Sequence, residues 1–344
     1  MKPSWFKPDI GIDLGTATCL VYVKGRGIVV AEPSVVASDS QTGELICLGN
    51  EAQRMLGKAP AGINVSRPLR DGVISQYGLT MKMLQRYIKT ACGFHVGRPR
   101  VVICIPSGIT EVEERAVIDA ARNAGAGATY LIEEPVAAAI GAGIDISDAR
   151  GNMVVDIGGG TTDIAVISLE SVVISKSIRI AGDKFNESIK DYVRRRHNLL
   201  IGDLTAEDVK IRIGNVLRKQ ENKTLRVKGR CLAQGVPREI VLRSSEMFEA
   251  MLAPLTGIVD AICEVIEMTP PELVSDIING GICMTGGGAL LRGFDDLISE
   301  ATGIRAYVAS NPMNCVVLGT GKALDDVNRF TESRINISTA VSGQ

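Results

Sequence analysis

Two stretches of this chain share one pattern of apolar and polar positions. From Asp9 an apolar strand runs into Asp13-Leu14-Gly15-Thr16-Ala17-Thr18, and a second apolar strand leaves through Val21 and Val23. From Asn152 the order repeats. Met153-Val154-Val155 leads into Asp156-Ile157-Gly158-Gly159-Gly160-Thr161-Thr162, then an apolar run from Ile164 to Ile167. Each reads as a β-hairpin whose turn carries an Asp, glycine and hydroxyls, so the chain reads as a duplicated domain.

Between the hairpins, Arg100 to Ile105 is β-rich and stops at Pro106. The helix predicted over Thr110–Ala124 carries Glu111, Glu113 and Glu114 near its start, where carboxylates favour the helix dipole. Tyr130-Leu131-Ile132 then leads through Glu133-Glu134-Pro135 into an alanine-rich helix ending near Gly141. Past the second hairpin, helices are expected over Ser188–Arg196 and Ala206–Val216. A strand-like stretch from Leu225 to Arg243 has Gly229 and Gly235 as turns. A helix around Glu246–Glu267, the Pro270-Pro271 break, a strand Gly281–Met284 and the loop Thr285-Gly286-Gly287-Gly288 follow. The alternation predicts an α/β fold. The expected division is a first half over 1–150 with an insert near 33–70, a second half over 151–330 with an insert near 183–243, and a polar tail over 331–344.

The 344 residues suffice for two domains with cores of their own. Only 4% are aromatic, so those cores must be aliphatic. The net charge of −1, without a long Lys/Arg block, makes nucleic acid a poor partner. The eight cysteines are scattered, mostly in apolar runs and without a Cys-x-x-Cys pair, which suits buried thiols in a reducing cytoplasm. His95 and His197 have no ligand-like neighbours at metal spacing. No apolar run reaches the roughly 18 residues of a membrane span, and no export signal is read at the start. A cytoplasmic protein is expected.

The turns carry the chemistry. Glycine lets backbone N–H groups approach a phosphate without a Cβ in the way. Two facing turns could therefore clamp a triphosphate, the first with Gly15, Thr16 and Thr18, the second with Gly158 to Thr162. Asp13 and Asp156 would then sit where hydrated Mg²⁺ needs carboxylates, since this ion keeps most of its water. No Gly-Lys-Ser/Thr follows a glycine run, so the pattern is not a Walker loop. Each turn leads into a strand, unlike the helix of a dinucleotide fold.

The order of Asp13 to Ala17, Leu131 to Pro135, Asp156 to Thr162 and Thr285-Gly286-Gly287-Gly288-Ala289-Leu290 resembles the actin, heat-shock chaperone and sugar kinase ATPase superfamily. Its spacing is most similar to the MreB family of bacterial cell-shape proteins. The likeness runs from about Asp9 to Val327. It includes the more specific stretches Glu32-Pro33-Ser34-Val35, Arg67-Pro68-Leu69-Arg70-Asp71-Gly72-Val73 and Thr269-Pro270-Pro271-Glu272-Leu273. The resemblance implies an actin-like fold, two related RNase H-like domains around a nucleotide cleft.

It also implies roles. Gly15, Thr16, Ala17 and Thr18 with Gly158, Gly159, Gly160 and Thr161 would hold the phosphates of ATP, and Asp13 and Asp156 would hold Mg²⁺ through water. Gly287, Gly288, Ala289 and Leu290 would lie along the adenosine. Glu207, Asp208, Val209 and Lys210 would lie beside adenine and ribose, with Glu207 and Lys210 on one helix face. Glu134 matches the family's catalytic Glu, and Thr161 would help fix the attacking water. Glu133 reads as an N-cap. Thr18 stands where the family usually has Asn and Asp163 where it usually has Glu, departures that bear on turnover and not on fold.

Family behaviour further implies slow ATP hydrolysis coupled to assembly into head-to-tail protofilaments, paired as is the family's habit, on the inner face of the cytoplasmic membrane. RodZ and the MreC/MreD cell-wall elongation machinery are the partners implied. Trp5 and Phe6, flanked by Lys2 and Lys7, and Phe94 with Val96 are the candidate lipid contacts; Lys2-Pro3 and Lys7-Pro8 favour a short wedge over a long helix. An actin-fold small-molecule kinase is the alternative in another class, although no acceptor-base motif stands out. FtsA-like and plasmid-segregating ParM-like filaments are nearer rivals, but Arg329 to Gln344 lacks the apolar face of an FtsA-like terminal helix.

Overall fold

The computed structural model describes residues 8–93, 97–217 and 223–325. The candidate lipid contacts at Trp5, Phe6, Phe94 and Val96 and the polar tail lie outside these residues. In the first half the chain runs β1 (Asp9–Leu14), β2 (Thr18–Val23), β3 (Gly27–Pro33), β4 (Val36–Asp39), β5 (Leu45–Leu48), α1 (Asn50–Met55), β6 (Ile63–Ser66), β7 (Leu69–Arg70) and β8 (Val73–Ile74). It continues through α2 (Tyr77–Cys92), β9 (Arg100–Ile105), α3 (Glu111–Asn123), β10 (Ala128–Glu133) and α4 (Glu134–Ala142). The second half runs β11 (Asn152–Ile157), β12 (Thr162–Ser168), β13 (Ser171–Ile178), α5 (Gly182–His197), β14 (Leu199–Leu200), α6 (Asp203–Ile213), β15 (Thr224–Cys231) and β16 (Pro237–Arg243). There follow α7 (Ser244–Met268), α8 (Pro271–Gly280), β17 (Ile282–Thr285), α9 (Phe294–Thr302), β18 (Ala306–Val308) and α10 (Cys315–Ala323).

Two five-stranded sheets have the same plan. One is ordered β3-β2-β1-β9-β10 and the other β13-β12-β11-β17-β18. In each, the first three strands form an antiparallel meander and the last two join in parallel. The central strands β1 and β11 are buried along most of their length because helices cover both faces. Smaller sheets β5-β4-β6 and β14-β15-β16 form the inserts.

One core lies under α2 and α3 on the first sheet and another under α5, α6, α7 and α9 on the second. A third joins the halves: α4 packs against β11 and β12 as well as its own sheet, and α10 returns from the second half to lie on β1, β2 and β9. These two helices touch backbone to backbone. A Cβ on Gly141 would stand 1.7 Å from the Cys315 carbonyl oxygen, and one on Gly319 would stand 1.8 Å from that of Ala137.

Local chemistry sets the ends. Thr110 caps α3 with a capping box: its hydroxyl accepts from the Glu113 N–H, while its own N–H donates to Glu113 Oε2 at 2.7 Å. Helix α5 begins six residues earlier than the expected Ser188, because the apolar stripe Phe185, Ile189, Val193 starts within its first turn. Gly229 is not a turn. It lies inside β15, where a Cβ would meet the Leu200 carbonyl oxygen at 2.3 Å, so glycine there permits close approach of β14. None of the eight cysteines forms a disulfide, and His197 is tied to Glu246 at 2.7 Å.

Candidate functional site: two glycine turns across one cleft

The two hairpin turns face each other directly. A Cβ placed on Gly159 would lie 2.4 Å from the Ala17 Cβ, and one on Gly160 would lie 2.6 Å from Thr16 Oγ1. Within each turn, glycine also closes the chain on itself. A Cβ on Gly15 would meet the Thr18 carbonyl oxygen at 2.7 Å, and the Gly158 N–H donates to the Thr161 carbonyl at 2.9 Å.

Neighbouring segments hold both turns. The buried Ser34 donates its hydroxyl to the Gly15 carbonyl at 2.6 Å, and its N–H donates to the Ala17 carbonyl at 2.9 Å. The Gly72 N–H donates to Thr16 Oγ1 at 2.9 Å, from a φ of 77° that suits glycine. Thus Glu32 to Val35 and Arg67 to Val73 support the first turn. On the other side, the first N–H groups of α5 seize the second turn: Gly182 donates to the Gly158 carbonyl at 3.2 Å and Asp183 to the Gly159 carbonyl at 2.7 Å.

Arg67 reaches over the cleft from the first half. Its Nη1 lies 3.0 and 3.3 Å from the two Asp183 carboxylate oxygens. Among the described residues this is the ion pair that joins the first insert to the second. Lys210 Nζ donates to the Gly182 carbonyl at 3.0 Å, and burial, partly offset by Glu207 and Asp183, lowers its pKa. Helical geometry narrows the expectation for residues 207–210. Lys210 reaches the Gly182 carbonyl beside the second turn and Glu207, three residues earlier, shares its helix face, whereas Asp208 pairs with Arg212 at 2.9 Å in solvent and Val209 is buried in the core.

The third glycine loop lies beside β11, because β17 pairs with it in a register that sets Thr285 opposite Asp156. Gly286, at φ 80°, and Gly288 both crowd Ile157, where a Cβ would come within 2.3 Å. Residues 287–290 form one 3₁₀ turn; Ala289 points into the core and Leu290 is 57% exposed.

Four carboxylates gather between the turns. Burial raises Asp13 to about 6, against a weak bond at 3.4 Å from Cys104 Sγ. Burial likewise raises Asp156 to about 7, opposed by the Thr285 hydroxyl at 2.7 Å and reinforced by the charge of Asp13. Asp163 rises to about 7 through burial, opposed by its bond from the Ser107 N–H and reinforced by Asp156. Glu134, the first residue of α4, is held well above the carboxylate range by burial and then by Asp163, Asp13 and Asp156. Among the described residues no ion pair involves Asp13, Asp156, Asp163 or Glu134. Such an acidic cluster fits a cation. Among the described residues no three His, Cys, Asp or Glu converge to ligate a metal directly.

Glu133 occupies the N-cap position of α4, but its side chain makes no capping hydrogen bond. Its Oε2 accepts from Ser107 Oγ at 2.6 Å. Arg67, Gly72, Ser107, Asp183 and Thr285 were missed as site residues, although the specific stretch Arg67 to Val73 was a signal for the first two.

Comparison with known proteins agrees with this architecture. A family model described as MreB/Mbl protein matches residues 7–332. The chain is 51% identical over 329 residues to the cell shape-determining protein MreB of Escherichia coli K12, covering 94% of this chain and 95% of that one. It is 48% identical over 332 residues to the cell shape-determining protein Mbl of Bacillus subtilis 168, covering 96% and 100%. A crystal structure of MreB 5 of Spiroplasma citri bound to AMPPNP superposes with a TM-score of 0.90 at 38% identity, over 95% of this chain and 98% of that chain. The ADP-bound form gives 0.91 at 37% identity, over 96% and 99%. The fold is also that of a MamK double helical filament, with a TM-score of 0.80 at 22% identity over 93% and 99%. With its doubled sheets and facing turns, the chain belongs to the MreB/Mbl family of actin-like proteins.

Proposed function

We propose that this protein is an ATP-dependent, filament-forming bacterial actin homologue that organises cell-wall synthesis and cell shape from the inner membrane surface. The observation that carries the reading is the direct apposition of Gly159 on Ala17 and Gly160 on Thr16, two glycine turns closing on one cleft. AMPPNP and ADP in the Spiroplasma citri relatives support an adenine nucleotide there. The halves meet near 150/151, and the first and second inserts form the cleft's roof.

The backbone of Gly15 to Thr18 and of Gly158 to Thr161 binds the phosphates, and Asp13 and Asp156 hold hydrated Mg²⁺. When bound, Mg²⁺ offsets phosphate charge. Glu207 and Lys210 flank the adenosine on one side and residues 287–290 on the other. Glu134 orients the attacking water with Thr161, and its burial excludes bulk solvent from the reaction. Burial first, and then the charges of Asp163, Asp13 and Asp156, hold the Glu134 carboxyl well above the usual carboxylate range.

ATP favours closure of the halves and head-to-tail assembly, an open-ended contact that gives filaments. Trp5 and Phe6 or Phe94 and Val96 then meet lipid many times along one filament. Among the described residues no helix is long and apolar enough to cross a membrane. RodZ and the MreC/MreD machinery are the proposed partners.

Sedimentation with ATP, with ADP and with Glu134→Ala, with and without lipid vesicles, tests the reading. The expected result is an ATP-favoured pellet that the variant keeps while losing phosphate release. A chain that stays monomeric with ATP well above micromolar concentration refutes filament formation. Unchanged phosphate release by Glu134→Ala refutes its role.

A further inference from the structure

We infer that Ser107 and Asp163 are positioning residues that place Glu134 for hydrolysis only when the two halves are closed; the inference rests on the assignment of Glu134 above. Ser107 lies in the loop after β9, in the first half, and is 4% exposed. It makes two bonds in different directions. Its N–H donates to Asp163 Oδ1 at 3.0 Å, on β12 of the second half. Its hydroxyl donates to Glu133 Oε2 at 2.6 Å, and Glu133 is the residue that hands the chain to Glu134 at the start of α4. One serine therefore ties the strand-to-helix junction carrying Glu134 to the opposite half.

Asp163 is fully buried, and β12 pairing puts it directly opposite Asp156. A fully buried carboxylate needs its acceptors filled. Here one oxygen is filled by the Ser107 N–H, while the second, Oδ2, has no well-aligned donor, although the hydroxyls of Thr161 and Ser177 lie near enough to act on it. An aspartate that incurs this cost holds a loop that a nonpolar residue could not hold. The Ser107 loop borders a polar, partly open pocket of about 240 Å³, lined also by Thr161, Ser175 and Ser177. The loop therefore lacks dense packing on that side, and hydrogen bonds must fix it.

Separation of the halves breaks the Ser107–Asp163 bond, and Glu133 then loses a fixed partner. Since about 1 Å of misplacement can cost on the order of 100-fold in rate, Glu134 would be misplaced in an open cleft. The same two bonds link hydrolysis to closure, and neither residue needs to touch nucleotide.

Steady-state ATPase assays on full-length Ser107→Ala, Ser107→Thr, Asp163→Ala and Asp163→Asn, beside Glu134→Ala, test this. Ser107→Ala should lower kcat about 10- to 100-fold with KM for ATP within about twofold, and Ser107→Thr, which keeps the hydroxyl, should restore most of it. Asp163→Asn keeps an acceptor for the Ser107 N–H and should retain more turnover than Asp163→Ala. If Asp163→Ala does not fold, the Ser107 pair decides. Normal kcat in Ser107→Ala while Glu134→Ala is inactive overturns the inference and leaves Glu134 standing. A rise in KM matching the fall in kcat/KM, or no rescue by Ser107→Thr, also overturns it. Full activity in Glu134→Ala instead overturns the assignment beneath it.

Discussion

Replacing Gly159 by alanine adds one methyl group where the two halves touch. That carbon would lie 2.4 Å from the Ala17 Cβ, 3.2 Å from its backbone N and 3.3 Å from its Cα. Non-bonded carbons settle at about 3.5–4.0 Å, so the turns must part by at least about 1 Å. The obstacle is a short side chain on a hydrogen-bonded turn, and neither can swing away. Overpacking of this kind costs about 1–3 kcal/mol. Expressed wholly in closure of the cleft, that is a loss of roughly 5- to 150-fold in nucleotide affinity. Titration calorimetry with Mg-ATP reads the loss. Ala17→Gly removes the opposing methyl, so the double variant should recover most of the affinity, and the coupling between the two changes is the signature of contact. Gly62→Ala is the control, since it lies outside the site and its Cβ would meet nothing within 4 Å. A folded Gly159→Ala protein with unchanged affinity, or a double variant no better than the single, refutes the view that the turns close on one ligand.

Two further outcomes follow from the same site. Arg67→Ala or Asp183→Ala removes the ion pair over the cleft; because both side chains are partly solvated, release of a fluorescent nucleotide should quicken only about two- to fivefold, and less in high salt, whereas equal rates at every salt concentration refute a latch. In protein free of metal and nucleotide, Asp13, raised to about 6, and Asp156 and Asp163, raised to about 7, keep protons that the unfolded chain has released above 3.8. Their contribution is complete below the unfolded value and is lost as pH climbs through 6 to 7, so the thermal midpoint should fall between about pH 4 and 7 and level off above, and a rising profile in that window refutes the shared acidic crevice.

Legibility in the sequence followed the range of the physics. The turns at Gly15 and Gly158 were readable because glycine, Asp and hydroxyls in one order reflect steric needs satisfied within a few residues. The capping box of α3 and the Pro270-Pro271 break are local in the same sense. Gly229 misled, since its reason is the Leu200 carbonyl on a neighbouring strand, and a glycine excluded by packing looks in sequence like a glycine required by a turn. Ser107 was hidden for a stronger version of that reason: its partners, Glu133 and Asp163, stand 26 and 56 residues away, and nothing in Pro106-Ser107-Gly108 distinguishes a bridge from an ordinary loop. The substitution pattern did hold one clue. Asp163 stands where the resemblance leads one to expect Glu, and the shorter side chain meets the Ser107 backbone N–H itself. A one-carbon change at a fully buried carboxylate is tolerated only if the opposing loop supplies the missing reach. The Pro106–Ser107 loop and Asp163 therefore form one hydrogen-bonded unit drawn from both halves.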